Sequence, residues 1–271
     1  MTVPEPAGEP DLSIPSSARI YDFFLGGGHN FAADRALAER IVELVPAARE
    51  TAVANRAFLG RAVRACLDRG CRQFLDLGSG IPTVEPVHEI AHRHDPSARV
   101  VYVDSDPVAV AVGRDLLDGN ESATITAADL TDPDAVLSAP GVAGLLDPAE
   151  PTAVLAVAAL HYVGDDELVA RLLDRYCSAF GPGSMLVFSH GSADVDDPAA
   201  VSGTEDLQRL ARDSGHPLVV RDRATLRRLT ARVDPLEPGL VDIGRWRPGE
   251  PGPGPVLGVY GLVGTVRDQS R

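Results

Sequence analysis

Between Gln73 and Ser189 the sequence repeats one unit, a short apolar run, a turn, and then residues with helical spacing. Phe74-Leu75-Asp76-Leu77 leads into a glycine loop and a helix expected over Val84 to His92. Arg99-Val100-Val101-Tyr102-Val103 leads to Asp104 and a helix over Val108 to Leu117. Ala123 to Ala127 and Val154 to Ala158 continue the rhythm, and Met185 to Ser189 makes a fifth strand. Strands this apolar leave no face for water, and their alternation with helices of about ten residues calls for a parallel sheet covered on both sides. The expected fold class is α/β, a doubly wound, mostly parallel, Rossmann-like sheet. Further on come a helix around Thr225 to Ala231, an apolar stretch Leu240 to Ile243, a Pro/Gly run Pro248 to Pro255, and Val256 to Val263. The last two apolar stretches read as an antiparallel terminal hairpin at the sheet edge.

The 271 residues divide into a tail, a cap and a core. Residues 1–15 hold Pro4, Pro6, Pro10 and Pro15 among acidic side chains, with too little apolar surface to order themselves. Residues 16–70 form a helical cap. Ile20, Phe23 and Phe24 have helical spacing before Gly26-Gly27-Gly28 interrupts, and two amphipathic helices follow, one marked by Leu37, Ile41, Leu44 and Val45, the other by Leu59, Ala62, Val63, Cys66 and Leu67 and closed at Gly70. Residues 71–271 are the sheet domain.

Charge narrows the partners. Acidic residues outnumber basic ones 39 to 25, a formal net charge of −14, and every basic residue is Arg. Such a field repels phosphate backbones and argues against a nucleic-acid partner, while leaving open a small Arg-lined pocket for an anion. Cys66, Cys71 and Cys177 form neither metal-binding pairs nor a disulfide framework and read as reduced thiols. No run approaches the ~18 apolar residues that span a bilayer, and no basic segment precedes an apolar one at the N-terminus. The expectation is a cytoplasmic protein with no membrane partner.

In an open α/β sheet, ligands bind beyond the carboxyl ends of the strands. After the first strand stands Asp76-Leu77-Gly78-Ser79-Gly80-Ile81-Pro82-Thr83. Gly78 and Gly80 permit a tight turn and close approach of a ligand to the backbone. The third glycine of a dinucleotide fingerprint is missing, and Pro82 removes a donor where a pyrophosphate would rest, which disfavours NAD. S-adenosylmethionine carries no phosphate. It needs backbone approach to its methionine part, a carboxylate for the ribose hydroxyls and recognition of adenine, and groups of these kinds recur at successive strand ends. Asp104 closes the second strand; Asp129 follows the third, with the Leu130 amide beside it; His161 follows the fourth and His190 the fifth. Each has a plainer alternative. Asp104 and Asp106 suit helix N-caps, and the histidines suit hydrogen bonds to loop backbone.

The run Ser17-Ala18-Arg19-Ile20-Tyr21-Asp22-Phe23-Phe24-Leu25-Gly26-Gly27-Gly28-His29-Asn30-Phe31 resembles the N-terminal signature of a bacterial S-adenosylmethionine-dependent methyltransferase family long catalogued as a domain of unknown function. The resemblance continues through Asn55-Arg56-Ala57-Phe58-Leu59, Phe74 to Gly80, Val101 to Pro107, Leu160-His161-Tyr162-Val163, Ser189-His190-Gly191 and Glu237-Pro238-Gly239-Leu240-Val241. Gly28 departs from it, standing where Lys or a similar polar residue is expected, and so does His92. The resemblance implies a seven-stranded class I methyltransferase fold with the cofactor at Gly78, Ser79, Gly80, Asp104 and Asp129, and Asp76, Ser105, Leu130, His161, Tyr21 and Arg56 join the candidate cofactor set. Tyr21, Phe24 and Phe31 would serve a lid over the sulfonium, or pack in a core. Arg56 would take the cofactor carboxylate, or pair with Asp22 or Asp34. His161 and Tyr21 are the candidate catalytic residues.

One motif points elsewhere. His88-Glu89-Ile90-Ala91-His92 satisfies the pattern of zinc hydrolases, yet no third ligand stands at the required spacing, and Val84, Val87 and Ala91 place the histidines on the flank of a sheet-packed helix. The leading expectation is therefore an S-adenosylmethionine-dependent methyltransferase acting on a small molecule, without a metal. The alternatives are a catalytically silent protein that binds the same cofactor, and a zinc hydrolase using His88, Glu89 and His92.

Overall fold

The computed structural model describes residues 10–192, 194, 198–215, 217–247 and 258–267, with the side chains of 198–203 excepted. The expected tail falls partly outside this set, at residues 1–9, and the Pro/Gly run Pro248 to Pro255 falls wholly outside it, together with Val256 at the start of the last expected strand. Three helices come first: α1 (Ser17–Phe24), α2 (Ala32–Leu44) and α3 (Ala48–Leu67). Then strands and helices alternate: β1 (Gln73–Leu77), α4 (Val87–His94), β2 (Arg99–Asp104), α5 (Pro107–Leu116), β3 (Ala123–Ala127), α6 (Pro133–Ser138), α7 (Pro140–Leu145), β4 (Thr152–Val157), α8 (Asp166–Cys177), β5 (Met185–Gly191) and α9 (Pro198–Asp213). The chain closes with α10 (Arg223–Leu229), β6 (Val233–Pro235), β7 (Val241–Asp242) and β8 (Val259–Val266).

The sheet order is β3-β2-β1-β4-β5-β8-β6, and β7 also pairs with β8. β1 to β5 run parallel, and β8 enters antiparallel against β5 with His190 opposite Tyr260. β6 and β7 lie one after the other along the far side of β8, so eight segments fill seven positions. The β7–β8 pair is antiparallel as expected, but β8 lies inside the sheet and the edge belongs to β6 and β7. β6 escapes a reading of apolar patterns because it is three residues ending in proline, long enough only to cover the end of β8. Among the described residues no helix is long and apolar enough to cross a membrane.

Both faces are dry. Phe74, Val100, Tyr102, Leu155 and Val187 pack beneath Phe58, Leu59, Ala62, Val63 and Cys66 of α3 and Val87, Ile90 and Ala91 of α4. Leu75, Val101, Val103, Val154 and Phe188 face α8 and α10 through Val169, Leu172, Leu226 and Leu229. α3 thus covers the sheet itself. A third cluster joins Ile20 and Phe24 of α1, Leu37 and Ala38 of α2, Ala52 and Leu210 of α9, a helix that arrives from the far end of the chain and that the strand-helix rhythm does not announce. α4 starts later than expected. Pro86 disfavours the right-handed α conformation at Glu85, which stands instead at φ +43°, and a proline fits only the start of a helix, so the helix begins at Val87 and a turn follows the glycine loop. Pro82 therefore lies before the helix rather than in its first turn.

The three glycines after α1 are unequal. Gly26 has φ +81°. A Cβ on Gly27 would stand 2.0 Å from Asp22 Oδ1, whereas one on Gly28 would meet nothing within 4 Å. Asp22 is the hub of this turn, accepting from the His29 amide at 2.9 Å, Asn30 Nδ2 at 3.0 Å and Thr83 Oγ1 at 2.9 Å. Gly27→Ala is expected to displace that carboxylate, cost about 2 kcal/mol and lower Tm by about 5 °C, while Gly28→Ala leaves Tm unchanged; calorimetry of the two variants checks both.

Candidate functional site

Five parallel strands end at one edge of the sheet, and the polar residues gather there. Gly78 and Gly80, both at φ +63°, turn the chain sharply out of β1. A side chain at Gly78 would strike Ala159 Cβ at 2.8 Å and Leu130 Cδ2 at 3.2 Å, so the loop lies flat between the ends of β3 and β4. The Ser79 amide reaches back to the Val103 carbonyl at 3.1 Å. Asp104 clasps the loop: Oδ2 accepts from the Gly80 amide at 2.7 Å and Oδ1 from the Asp106 amide at 2.8 Å. Burial raises the Asp104 carboxyl above its usual range, although the bonds from these amides oppose the shift. Asp106 is the N-cap of α5, accepting from Val108 and Ala109 ahead of Pro107. Ser105 between them is exposed.

Asp76 stands one residue before the end of β1, on the face covered by α3, and is only 4% exposed. Burial pushes its carboxyl up to about 7; the Arg56 guanidinium pulls the other way and Asp104 adds to the rise. Arg56 on α3 is buried too, and its Nε has no hydrogen-bond partner among the described residues. Its guanidinium lies over the Tyr21 ring, 5.6 Å from the centroid. Neither expected ion pair of Arg56 forms. Asp22 is taken by the glycine turn, and Asp34 accepts from the Ser16 and Phe31 amides beside Arg19 Nε at 3.4 Å.

α1 lies across this edge. Ala18 borders Gly80, with a Cβ built there 4.0 Å away. Arg19 Nε comes within 3.9 Å of Asp106 Oδ2 at the end of β2, and Asp22 receives the hydroxyl of Thr83 beyond β1. Tyr21 donates to the Ala52 carbonyl at 3.1 Å, Phe24 fills the third cluster, and Phe31 lies under Arg19. Asp129 is exposed and bonds within its own turn to the Thr131 amide at 2.8 Å. Leu130 lines the glycine loop, its carbonyl accepting from Tyr176.

The two histidines differ. His190 is fully buried, with Nδ1 on the Gly191 carbonyl at 2.6 Å and Nε2 on Arg221 Nη1 at 2.8 Å. Because Arg can only donate, Nε2 accepts, Nδ1 carries the proton, and both nitrogens are spent. Burial, with the Arg221 charge, holds its pKa down to about 4. His161 is half-buried, edge-on to Tyr162 at 4.4 Å and to His190 at 5.8 Å, and neither ring nitrogen bonds a described residue. Burial lowers it to about 3, helped by His190 and Arg221. Arg221 is a residue the sequence pattern does not single out. Besides His190 it reaches the Val163 carbonyl at 2.7 Å and Asp166 at 2.7 Å, fixing the turn after β4, while the Val219 amide holds the His161 carbonyl at 2.8 Å. Nothing local marks it, since its side-chain partners lie 31 to 61 residues away.

The zinc-like run is structural. His88 Nδ1 meets Tyr102 Oη at 2.8 Å, His92 Nε2 meets the Ala98 carbonyl at 2.9 Å, and Glu89 faces Arg93 on the surface at 3.6 Å. Among the described residues no group of three or more His, Cys, Asp or Glu could hold a metal ion. Arg221→Met is expected to raise the pKa of both His161 and His190, read from imidazole NMR titrations, and to speed amide exchange in residues 160–166.

A family model described as S-adenosyl methyltransferase matches residues 5–266. No curated protein matches the chain. A crystal structure from Thermobifida fusca YX, provisionally assigned as a methyltransferase, is 36% identical with a TM-score of 0.88 over 97% of this chain and 100% of that one. A DUF574-family protein from Streptomyces avermitilis is 31% identical with a TM-score of 0.86 over 94% and 98%. A Bordetella parapertussis protein, 19% identical with a TM-score of 0.55 over 94% and 80%, shares the fold alone.

Proposed function

This chain belongs to the S-adenosyl methyltransferase family, and from that premise we propose that it methylates a small molecule, with S-adenosylmethionine held across the ends of β1, β2 and β3. The observation that carries the placement is the Asp104 clasp. A carboxylate fixed by the Gly80 and Asp106 amides keeps its outer lone pairs for two ribose hydroxyls, next to a loop whose glycines let a ligand touch the backbone. When bound, the cofactor supplies an activated methyl group for in-line displacement.

This chain's residues have separate tasks. Arg56, buried with an unpartnered Nε, would take the cofactor carboxylate, and Asp76 beside it would take the ammonium. Asp129 and the Leu130 amide would receive adenine, and Gly78, Ser79 and Ser105 would line the loop. Tyr21, carried on α1, would help hold that helix over the site as a lid that excludes water, while α3, also part of the expected cap at residues 16–70, stays packed on the sheet. His161 would orient the acceptor through a neutral ring nitrogen; held at about 3, it is a poor proton acceptor. Placing the acceptor and keeping out water would supply most of the rate. The acidic surface and the α1 cover support a small molecule over a nucleic acid or protein.

Wild-type protein is expected to bind S-adenosylhomocysteine in calorimetry, and Asp104→Ala to weaken binding about 100-fold through two lost charge-assisted bonds; no wild-type binding at millimolar ligand overturns the placement. Affinity is also expected to rise with pH between about 6 and 8. Only ionised Asp76 attracts an ammonium, so protonation below about 7 weakens binding, and Asp76→Asn is expected to flatten that profile. Turnover of no compound across an acceptor library, with the cofactor bound, would favour the catalytically silent alternative.

A further inference from the structure

One hydrogen-bond chain joins the turn after β4 to α1. The Ala158 amide donates to Ser189 Oγ at 3.0 Å, Ser189 Oγ to Asn55 Oδ1 at 2.7 Å, Asn55 Nδ2 to Tyr21 Oη at 3.0 Å, and Tyr21 Oη to the Ala52 carbonyl at 3.1 Å. The ends set its direction. An amide can only donate and a carbonyl only accept, so each proton between them has one place, and the Asn55 side chain has one orientation. Asn55 is 4% exposed and Ser189 is fully buried.

The two ends are the parts of the site that would have to move or be held. Tyr21 belongs to the helix lying over the glycine loop. Ala158 stands at φ +53°, a conformation residues with a Cβ rarely adopt, just before the turn bearing His161 and Tyr162. Such strain persists where surroundings over-determine it, and here the Ala158 amide is shared between Ser189 Oγ and the Ser189 carbonyl at 3.2 Å. Residue 55 must accept from Ser189 and donate to Tyr21, whose own proton is already given to Ala52. Asn does both; Asp would have no proton for Tyr21, and Ala would leave the buried Ser189 hydroxyl and the half-buried Tyr21 hydroxyl each short of a partner.

We propose that Asn55 is a positioning residue coupling the seating of α1 to the conformation of the β4 turn, so that His161 and Tyr162 take up their acceptor-facing placement when the lid is seated. The inference rests on reading the strand ends as the cofactor site. Because Tyr21 and Ser189 are joined through Asn55, a thermodynamic cycle isolates its part. S-adenosylhomocysteine affinity is measured by calorimetry on the full chain carrying Tyr21→Phe, Ser189→Ala, both, and each again with Asn55→Ala.

Each single substitution is expected to weaken binding about fivefold, the worth of one neutral hydrogen bond, and the double hardly more, with no added loss from either once Asn55 is Ala. Tyr21→Phe is also expected to shift the His161 imidazole NMR signals, which loss of lid packing alone would leave in place. Losses that multiply to about 25-fold, or unmoved His161 signals, overturn the inference while a binding wild type keeps the cofactor reading. A wild type that does not bind overturns both.

Discussion

A parallel sheet with a helical layer on each face has no solvent side, so its polar chemistry collects where the strands end. β1 to β5 point one way, and their turns emerge together with backbone amides to satisfy. Asp104 satisfies two of them, from Gly80 and Asp106, and in doing so fixes the loops after β1 and β2 relative to one another. Asp76 marks how hard the constraint presses. Its carboxyl is buried inside the strand rather than beyond it, a placement that costs heavily without an opposing charge, and the guanidinium that opposes it comes from α3. The packing of α3 on the sheet and the charge of the site are therefore one arrangement.

What was legible from sequence follows the same division. β1, β2, β4 and β5 are readable because each is a nearly continuous buried run, and the glycine loop because a sharp turn at a strand end needs residues that tolerate positive φ. Asp106 is readable as a cap because capping is local enough to be seen in Asp-Pro. Asn55 and Arg221 were not picked out from residue chemistry, because their roles are set by partners far along the chain: Ser189 lies 134 residues from Asn55, and Val163 lies 58 from Arg221. α9 was lost for a related reason. Its buried Leu210 serves the α1–α2 cluster rather than the sheet, so the helix belongs by packing to a part of the chain far from its neighbours in sequence.

The all-Arg basic set finds a use in these positions. Arg221 donates to His190, to Asp166 and to the Val163 carbonyl from one planar group, a division that a lysine ammonium, a single point on a flexible stem, matches poorly. Arg19 similarly bridges the Ile14 carbonyl, Asp34 and the approach to Asp106 while stacking on Phe31. In a chain with a formal charge of −14, buried guanidinium forks let a few cations hold several turns each.

Those forks also bear on how a methyl group would be transferred. The Arg221 charge lies against both histidines of the strand ends, and burial acts in the same direction, so imidazolium is disfavoured at either site. His190 has no nitrogen left to offer, and His161 offers a lone pair that holds a proton weakly. On the proposed placement, an acceptor that must lose its proton before attack would find no strong base in these two rings. One whose nucleophilic atom carries its lone pair at neutral pH needs only alignment and a dry site. A strained turn at Ala158, held through Asn55 to the helix that covers the site, is a means of supplying both together.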